Sequence, residues 1–439
     1  MLVAPFAVIR FGPPPAVAMR LERHAMGIVS SPVLDALLMQ ALITPEGQAD
    51  PYPLYAQMRQ QATVSRSSFG PYVVNGYDVC QSVLRDPRLG RGVDIVDNNV
   101  GIFGDMGSRR GEFMDMSQHN MLMADPPDHT RLRRLVSRSF TARQVERLRP
   151  VVHALVDELL DAMTESGDVE FMSEFALPLP MAVIGELVGV PEADRAVLQP
   201  RVRAAAKGIE PVMSDEETDA AIEAVGTLAE YFGALIEERR RRPRDDLLSS
   251  LAAAWENDDR LTDEEIYSTS ILLFAAGFET TTNLLGNGLL ALLTHPDQLA
   301  DWRQHPEIAP SAVEELLRFD SPVQFNLRTA LEPAELAAGE PLERGDRVIV
   351  LQGAANRDPA RFADPDELDL RREDNVPLSF GWGIHHCIGA ALARMEGEIA
   401  FNGLLARFPT MELLTDAPHW RPSFTLRGLL DLPLRVSAH

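Results

Sequence analysis

The 439-residue sequence contains only two cysteines, Cys80 and Cys387, and they lie too far apart in the chain to suggest a disulfide framework. The scarcity favours a reducing compartment, and each thiol needs its own explanation. Basic residues are also few. Lys and Arg number 41 against 65 Asp and Glu, which gives a net charge of −24 and a pI near 4.8. This balance argues against a surface that neutralises nucleic-acid phosphates.

Long apolar runs are missing as well. Arg10 and Pro13–Pro15 interrupt the apolar N-terminal stretch, and no basic region precedes it. The stretch therefore resembles neither a signal peptide nor a membrane span, and we expect a cytoplasmic protein without a transmembrane segment. A hydrophobic content of 45% with 24% charged residues is typical of a globular protein with a large core.

The periodicity of apolar residues predicts a mainly α fold with small β-sheets (α+β). Residues 1–50 are interpreted as a loosely packed N-terminal extension of unknown role. Residues 51–439 are interpreted as a single domain, because no linker interrupts them. Helical patterns dominate from about Pro127 to Pro310, and short β-like pieces flank them. Arg91–Met123 is interpreted as a long irregular connection, a kind of loop that is usually functional or disordered.

One long helix is predicted to cross the whole protein. A capping box at Thr262–Glu265 begins it, and the pattern continues to Thr294, before His295-Pro296 ends it. Roughly 30 residues at 1.5 Å each give a length of about 45 Å. Its centre, Ile271–Phe278, is apolar all round and is expected to be buried on every side.

Three residues in or beside that centre are unusual for a helix interior: Gly277, Glu279 and Thr280. A buried carboxylate without a partner is costly. Threonine hydroxyls that bond back to carbonyls one turn earlier would explain Thr280 alone. Together, the three residues suggest a local opening of the backbone ladder, a proton carrier and a hydroxyl that holds water.

The stretch FGWGIHHCIG, Phe380–Gly389, places Cys387 between glycines and just before a helix. Free amides and the helix dipole favour a thiolate there, which can act as a ligand or nucleophile. A zinc site using His385 and His386 would need distant ligands, a c-type haem attachment would need C-x-x-C-H, and no base for a thiol protease is evident. A structural buried cysteine stays an alternative here and is favoured for Cys80.

The chain contains DPPDHTRLRRL, AAGFETT, EELLR and FGWGIHHCIG in this order. With these motifs it resembles the cytochrome P450 superfamily in its soluble bacterial form, from about Pro51 onwards. The resemblance implies the cytochrome P450 fold, with the long helix crossing a haem b whose iron is ligated by Cys387. It implies a monooxygenase that hydroxylates or epoxidises a hydrophobic small molecule with dioxygen. Electrons would come from NAD(P)H through ferredoxin reductase and ferredoxin, and we expect a monomer.

The same resemblance assigns further residues. Glu279 and Thr280 match the acid and alcohol that hold water and deliver protons. Glu315 and Arg318 match the E-x-x-R pair, which is implied to be structural. The residues implied to bind the haem are His129, Arg133, Ala276, Arg328, Phe380, Gly381, His385, Cys387 and Gly389. The segments implied to line the substrate pocket are 91–123, 200–217, 275–280, 323–327 and Phe424, so that steroid, terpenoid, fatty acid and polyketide all stay open as substrates.

Two alternative functions also stay open. A peroxide-driven haem-thiolate peroxygenase usually lacks the acid and alcohol that Glu279 and Thr280 match. A non-catalytic haem or gas-binding sensor would need neither a proton relay nor a docking surface. Arg131, Arg134 and Arg138 share one side of their predicted helix, which suggests either a docking surface for an acidic ferredoxin or a solvated face.

Overall fold

The computed structural model describes residues 32–438 except residues 94, 96–99, 102, 103, 106, 139, 212, 254, 257, 258 and 338. The α-helices are α1 (Pro32–Ile43), α2 (Pro45–Ala49), α3 (Tyr52–Gln61), α4 (Tyr77–Arg85), α5 (Gly107–Ser117), α6 (Asp128–Ser137), α7 (Ala142–Ser166), α8 (Pro178–Val188), α9 (Glu192–Lys207), α10 (Asp215–Arg241), α11 (Leu247–Ala252), α12 (Asp263–Thr294), α13 (Pro296–Gln304), α14 (Ala309–Phe319), α15 (Gln352–Ala355) and α16 (Ala390–Arg407). The predicted dominance of helix is confirmed.

The strands are short. They are β1 (Val64–Arg66), β2 (Tyr72–Val74), β3 (Leu89–Gly90), β4 (Val100–Gly101), β5 (Gly104–Asp105), β6 (Asp168–Glu170), β7 (Trp255–Glu256), β8 (Asp259–Arg260), β9 (Asn326–Ala330), β10 (Ala334–Leu336), β11 (Glu340–Leu342), β12 (Arg347–Val350), β13 (Thr410–Leu413) and β14 (Pro433–Ser437). The five-stranded sheet has the order β1-β2-β12-β9-β3, with β12 parallel to β2 and antiparallel to β9. Gly90 on β3 pairs with Thr329 on β9, so that Arg91 enters the same region as Arg328.

The central helix α12 begins and ends as predicted. Thr262 and Glu265 form both hydrogen bonds of the capping box, and His295 caps the C-terminus. The helix is continuous, but it is not buried on every side as expected, because Ala276 is exposed and Thr280 is only half-buried. One side of its centre therefore borders accessible space instead of packed side chains.

The N-terminal helices α1 and α2 pack more closely than the sequence suggested. Leu34, Leu38 and Leu42 of α1 are buried in one hydrophobic cluster with Tyr55 and Ile349 of the main body. Residues 32–49 therefore pack against the main body, and the boundary at residue 50 stays a prediction. Residues 1–31 of the predicted extension lie outside the described residues.

The predicted irregular connection between Arg91 and Met123 contains a helix, α5. Its residue Phe113 is buried and lies against Gly208, where an added Cβ would come within 1.8 Å of the ring. The connection is therefore packed against the chain that follows α9.

No single helix in the described part of the chain is long and apolar enough to cross a membrane. The segments Met172–Val188 and Glu192–Lys207 pass that test only as a pair, and the pair is bent by 111°. Both segments bury side chains in hydrophobic clusters, for example Val183 and Val202.

Candidate active site

Cys387 lies in a tightly bent loop that leads into α16. Gly381 and Gly383 have φ angles of 67° and 70°, a left-handed conformation that favours glycine. A Cβ on Gly383 would also come within 2.4 Å of the carbonyl oxygen of Leu84. The amide of Cys387 donates to the carbonyl of Phe380 at 2.9 Å, which fixes the position of the thiol.

The surroundings of the thiol affect its ionisation in opposite directions. Desolvation is the strongest influence and raises the pKa of Cys387, although solvent can still reach the side chain. The amides of Gly389 and Ala390 and the charges of Arg133 and Arg394 lower the pKa. An accessible sulfur beside these amides and guanidinium groups is suited to be an anionic ligand. An added Cβ on Gly389 would lie 3.9 Å from the sulfur, an ordinary contact.

Phe380 is half-buried at the start of this loop. The guanidinium of Arg394 lies 4.5 Å from the centroid of its ring. Arg394 also forms an ion pair with Glu314 of α14. These contacts tie the loop to α14 and α16 and orient the ring of Phe380.

The structure brings the two predicted cofactor-binding histidines together. The ring centroids of His129, on α6, and His385 are 4.4 Å apart. Burial and the charges of nearby arginines lower the pKa of both rings. The Nε2 atom of each ring is buried and has no hydrogen-bond partner within the described residues. Buried nitrogens of this kind normally have a partner, so both point to a ligand.

Buried arginines surround the histidines. Arg328 is 2% exposed, and its guanidinium and that of Arg91 both donate to Oδ1 of Asn326, at 2.6 and 3.1 Å. Burial lowers the pKa of both arginines, that of Arg91 to about 10, and the nearby Asp125 opposes the shift. Arg133 was also predicted to bind the haem, and its Nη2 donates to the carbonyl of His386 at 2.6 Å.

Arg91 was not among the residues implied to bind the haem, although the segment 91–123 was implied to line the substrate pocket. A signal was available in the sequence, because Arg91 stands between Gly90 and Gly92 in a predicted functional loop. An added Cβ on Gly90 would come within 2.1 Å of Oδ1 of Asp125, which binds the amides of Arg91 and Gly92. The glycines thus allow the close approach that brings Arg91 into the cluster.

These residues fit a haem. Two propionate carboxylates need buried cations and hydrogen-bond donors, and the cluster of Arg91, His129, Arg328 and His385 supplies both. Cys387 supplies the sulfur for the iron; burial raises the pKa of its thiol, and the nearby amides of α16 and the charge of Arg133 oppose that shift. Arg133 lies on α6 together with His129, and its hydrogen bond to the carbonyl of His386 places the cluster beside the Cys387 loop.

The centre of α12 places Thr280 and Glu279 in different environments. The hydroxyl of Thr280 donates to the carbonyl of Ala276 at 2.8 Å, the back-bonded arrangement that the sequence allowed. The carboxylate of Glu279 is buried, with Oε1 2.8 Å from Nε of Arg203 and Oε2 2.7 Å from Nη1 of Arg421. The predicted proton carrier is therefore held by two guanidinium groups.

The predicted pair of Glu315 and Arg318 is completely buried, with 0% exposure of both side chains. The guanidinium of Arg318 also donates to the carbonyl of Asn356 at 3.0 Å. The side chain of Asn356 in turn accepts from the amide of Leu378 and donates to the hydroxyl of Ser379, at 2.7 and 2.8 Å. The pair thus supports the chain immediately before the Cys387 loop.

The predicted basic patch is smaller than expected. Arg131 forms an ion pair with Glu265 in the first turn of α12, so that its charge is compensated within the protein. Arg134 and Arg138 are exposed on the same helix.

Comparison with known proteins identifies relatives of this chain. The cytochrome P450 family model matches residues 212–417. The polyketide biosynthesis cytochrome P450 PksS of Bacillus subtilis is 39% identical over 398 residues, which cover 88% of this chain and 96% of that protein. The 6-deoxyerythronolide B hydroxylase of Saccharopolyspora erythraea is 41% identical over 396 residues, again 88% of this chain and 96% of that protein.

Two solved cytochrome P450 structures are also similar to this chain. P450BioI, in complex with an acyl carrier protein ligated to hexadec-9Z-enoic acid, has a TM-score of 0.83 and 36% sequence identity and covers 90% of this chain and 99% of its own. PksS, from the bacillaene polyketide synthase of Bacillus subtilis, has a TM-score of 0.80 and 39% identity, with 90% and 98% covered.

Proposed function

The chain belongs to the cytochrome P450 family, and from that premise we propose that it is a monooxygenase that hydroxylates a polyketide-derived small molecule. The family is one of haem-thiolate monooxygenases that act on small hydrophobic substrates and receive electrons from redox partners. The finer assignments proposed here are haem b as the cofactor, ferredoxin as the electron donor and a cytoplasmic monomer as the working form.

The observation that carries the proposal is the combined site of thiol and cations. The accessible thiol of Cys387 lies where α16 begins, beside amides that lower its pKa against the stronger effect of burial. Unpartnered Nε2 atoms of His129 and His385 lie in the neighbouring cation cluster. When bound, a thiolate-ligated haem activates dioxygen and inserts one oxygen atom into a substrate C–H bond. In this role Cys387 holds the iron, while the histidines, Arg91 and Arg328 hold the propionates.

Thr280 is proposed to hold a water molecule on the accessible side of α12. Its hydroxyl proton is donated to the carbonyl of Ala276, so that the oxygen is left as an acceptor facing the accessible space. A water donating to this oxygen would be kept in place for proton delivery. Ala276, which is exposed and has a small side chain, leaves room for the haem beside it.

Glu279 is proposed to carry protons from solvent to this water. Its ion pairs with Arg203 and Arg421 must open before it can accept a proton. Arg203 is the partner that leaves more easily, because its side chain is 36% exposed, against 16% for Arg421. Both sequence-predicted roles, for Glu279 and Thr280, stay proposals.

The substrate proposal is supported by the names of the relatives. PksS is described as a polyketide biosynthesis enzyme, and another relative is described as the hydroxylase of 6-deoxyerythronolide B. The cytochrome PikC of Streptomyces venezuelae, described as a monooxygenase, is 40% identical over 426 residues. A peroxide-driven reaction is disfavoured because Glu279 and Thr280 are both in place near the accessible side of α12.

A reconstituted reaction tests the proposal. The full-length protein loaded with haem is supplied either with ferredoxin, its reductase and NADPH, or with hydrogen peroxide, and macrolactones and linear polyketide acids are compared by mass spectrometry. We expect a product 16 mass units heavier, formed with NADPH and dependent on ferredoxin. Product formed only with peroxide would contradict the electron-donor assignment, and oxidation of steroids or terpenoids alone would contradict the substrate class.

A further inference from the structure

Glu210 connects two segments that border the proposed substrate pocket. It follows the end of α9 at Lys207, in the connection to α10, and is 6% exposed. Its carboxylate accepts hydrogen bonds from the hydroxyl of Ser423 at 2.5 Å and from the amides of Phe424 and Thr425 at 2.9 and 3.2 Å. One carboxylate therefore binds the tip of the loop that precedes β14, which is named here the 421–427 loop.

The opposite side of the 421–427 loop is attached to the chain that enters β9. The amide of Gln324 donates to the carbonyl of Thr425 at 3.0 Å. The rings of Phe325 and Phe424 meet edge to face, with centroids 4.2 Å apart. The position of the Phe424 ring thus depends on Phe325 on one side and on Glu210 on the other.

The connection that carries Glu210 also contacts other elements. Gly208 packs against the ring of Phe113 on α5. Farther back, Arg203 on α9 and Arg421 in the loop both bind Glu279, which forms a second link between the same two segments. Glu210 provides the outer of these two links, because it lies in the connection, whereas Glu279 lies at the centre of α12.

We propose that Glu210 is a positioning residue for substrate binding, which holds the α9–α10 connection against the 421–427 loop and so controls the passage of bulky substrates. The inference rests on the proposed function, because it takes the space beside Phe424 as the substrate pocket. Charge-assisted hydrogen bonds are about twice as strong as neutral ones, so that three donors on one carboxylate make a firm closure. Its removal leaves two amides and a hydroxyl without this acceptor.

The test measures how fast ligands of two sizes bind to the haem iron. Imidazole is the small probe and 1-dodecylimidazole the bulky one, and each is followed by stopped-flow absorbance in the full-length haem protein. In Glu210→Ala we expect association and dissociation of the bulky azole to be faster by about tenfold, the equivalent of one charged hydrogen bond, with imidazole rates unchanged. Ser423→Ala, which removes one donor, should shift the rates in the same direction by less.

Glu216→Ala is the matched control, because Glu216 is exposed in the first turn of α10. It should behave as the wild type. Equal effects of Glu210→Ala on both azoles, or none on either, would overturn the proposal. Should Glu210→Ala fail to fold, Glu210→Gln and Ser423→Ala give the same comparison of azoles.

Hydrogen exchange separates this inference from the proposed function. The amides of Phe424 and Thr425 donate to Glu210, so both should exchange faster in Glu210→Ala than in Glu216→Ala. A protein that binds no haem would refute the proposed function and give no azole signal, but exchange would still measure the closure. Unchanged exchange at both amides would refute the closure itself.

Discussion

Replacing Glu315 by glutamine should destabilise the fold strongly without affecting the chemistry. The carboxylate receives hydrogen bonds from Arg318 at 2.7 and 2.8 Å, and from the amide of Asp369 and the side chain of Asn375 at 2.9 and 3.0 Å. The substitution keeps the shape but leaves the charge of Arg318, which is 0% exposed, without its closest carboxylate. The NH2 group of the glutamine would also face hydrogen-bond donors that bind a carboxylate oxygen in the wild type.

The magnitude follows from the burial. Removing one partner of a buried ion pair costs about 3–5 kcal/mol, and the lower end applies because the carbonyls bonded to Arg318 remain. A chain of this length has an unfolding entropy of roughly 0.9 kcal/mol per degree, so a loss of about 3 kcal/mol lowers the melting temperature by about 3 °C. Urea unfolding followed by far-UV circular dichroism measures the free energy of unfolding directly.

Arg371→Ala is the control from the same segment. The side chain of Arg371 is 50% exposed and pairs with Asp301 at 2.6 Å, so its removal should cost less than about 1 kcal/mol. Equal stability of Glu315→Gln and Arg371→Ala would refute the reasoning from burial. A normally stable Glu315→Gln protein with reduced turnover per haem would show instead that Glu315 takes part in the chemistry.

Three further predictions concern side chains of α12 and α16. Thr280→Ala should keep haem and substrate binding but divert electrons into hydrogen peroxide, measured as product and peroxide per NADPH; coupling equal to the wild type would exclude the proposed role. Glu279→Gln should lower kcat by about 100-fold with little change in substrate Kd, whereas the exposed Glu264→Gln should not; a similar kcat in both variants would argue against a proton carrier. Burial raises the pKa of Glu396 to about 8, so the folded protein keeps a proton that the unfolded chain loses near its ordinary pKa. The stability contributed by the neutral carboxyl is therefore complete at acid pH and is lost as the pH rises through about 8. From pH 5 to 9, the free energy of unfolding of the wild type should fall by a few kcal/mol relative to that of Glu396→Gln. Identical pH profiles of the two proteins would contradict this prediction.

The parts of the site that follow from local sequence were predictable. The capping box at Thr262–Glu265 and the stop at His295 fixed the limits of α12, because both signals act within one helical turn. The position of Cys387 just before a helix was likewise predictable, since α16 begins at Ala390. These features need no information from distant parts of the chain.

Contacts between distant parts of the chain were not predictable in the same way. Glu279 finds Arg203 and Arg421 only because α9 and the 421–427 loop meet over α12. Arg91 reaches Arg328 only because β3 pairs with β9. The periodicity of apolar residues does not predict such long-range contacts.

Two helical segments were also misread from the sequence. Residues 107–117 carry glycines and scattered charges, so that α5 has little helical pattern although it forms. The burial of α1 depends on Tyr55 and Ile349, which belong to distant elements. In both segments, packing against other parts of the chain determines the structure.

The absorption spectrum of the reduced protein with carbon monoxide tests the central claim most directly. The account predicts that the wild type, loaded with haem, shows the red-shifted band of a thiolate-ligated iron and that Cys387→Ser loses it. Cys80→Ser, which changes the other, buried cysteine, should keep the band. A wild type without this band, or a Cys387→Ser protein that retains it, would contradict the assignment of Cys387 as the ligand.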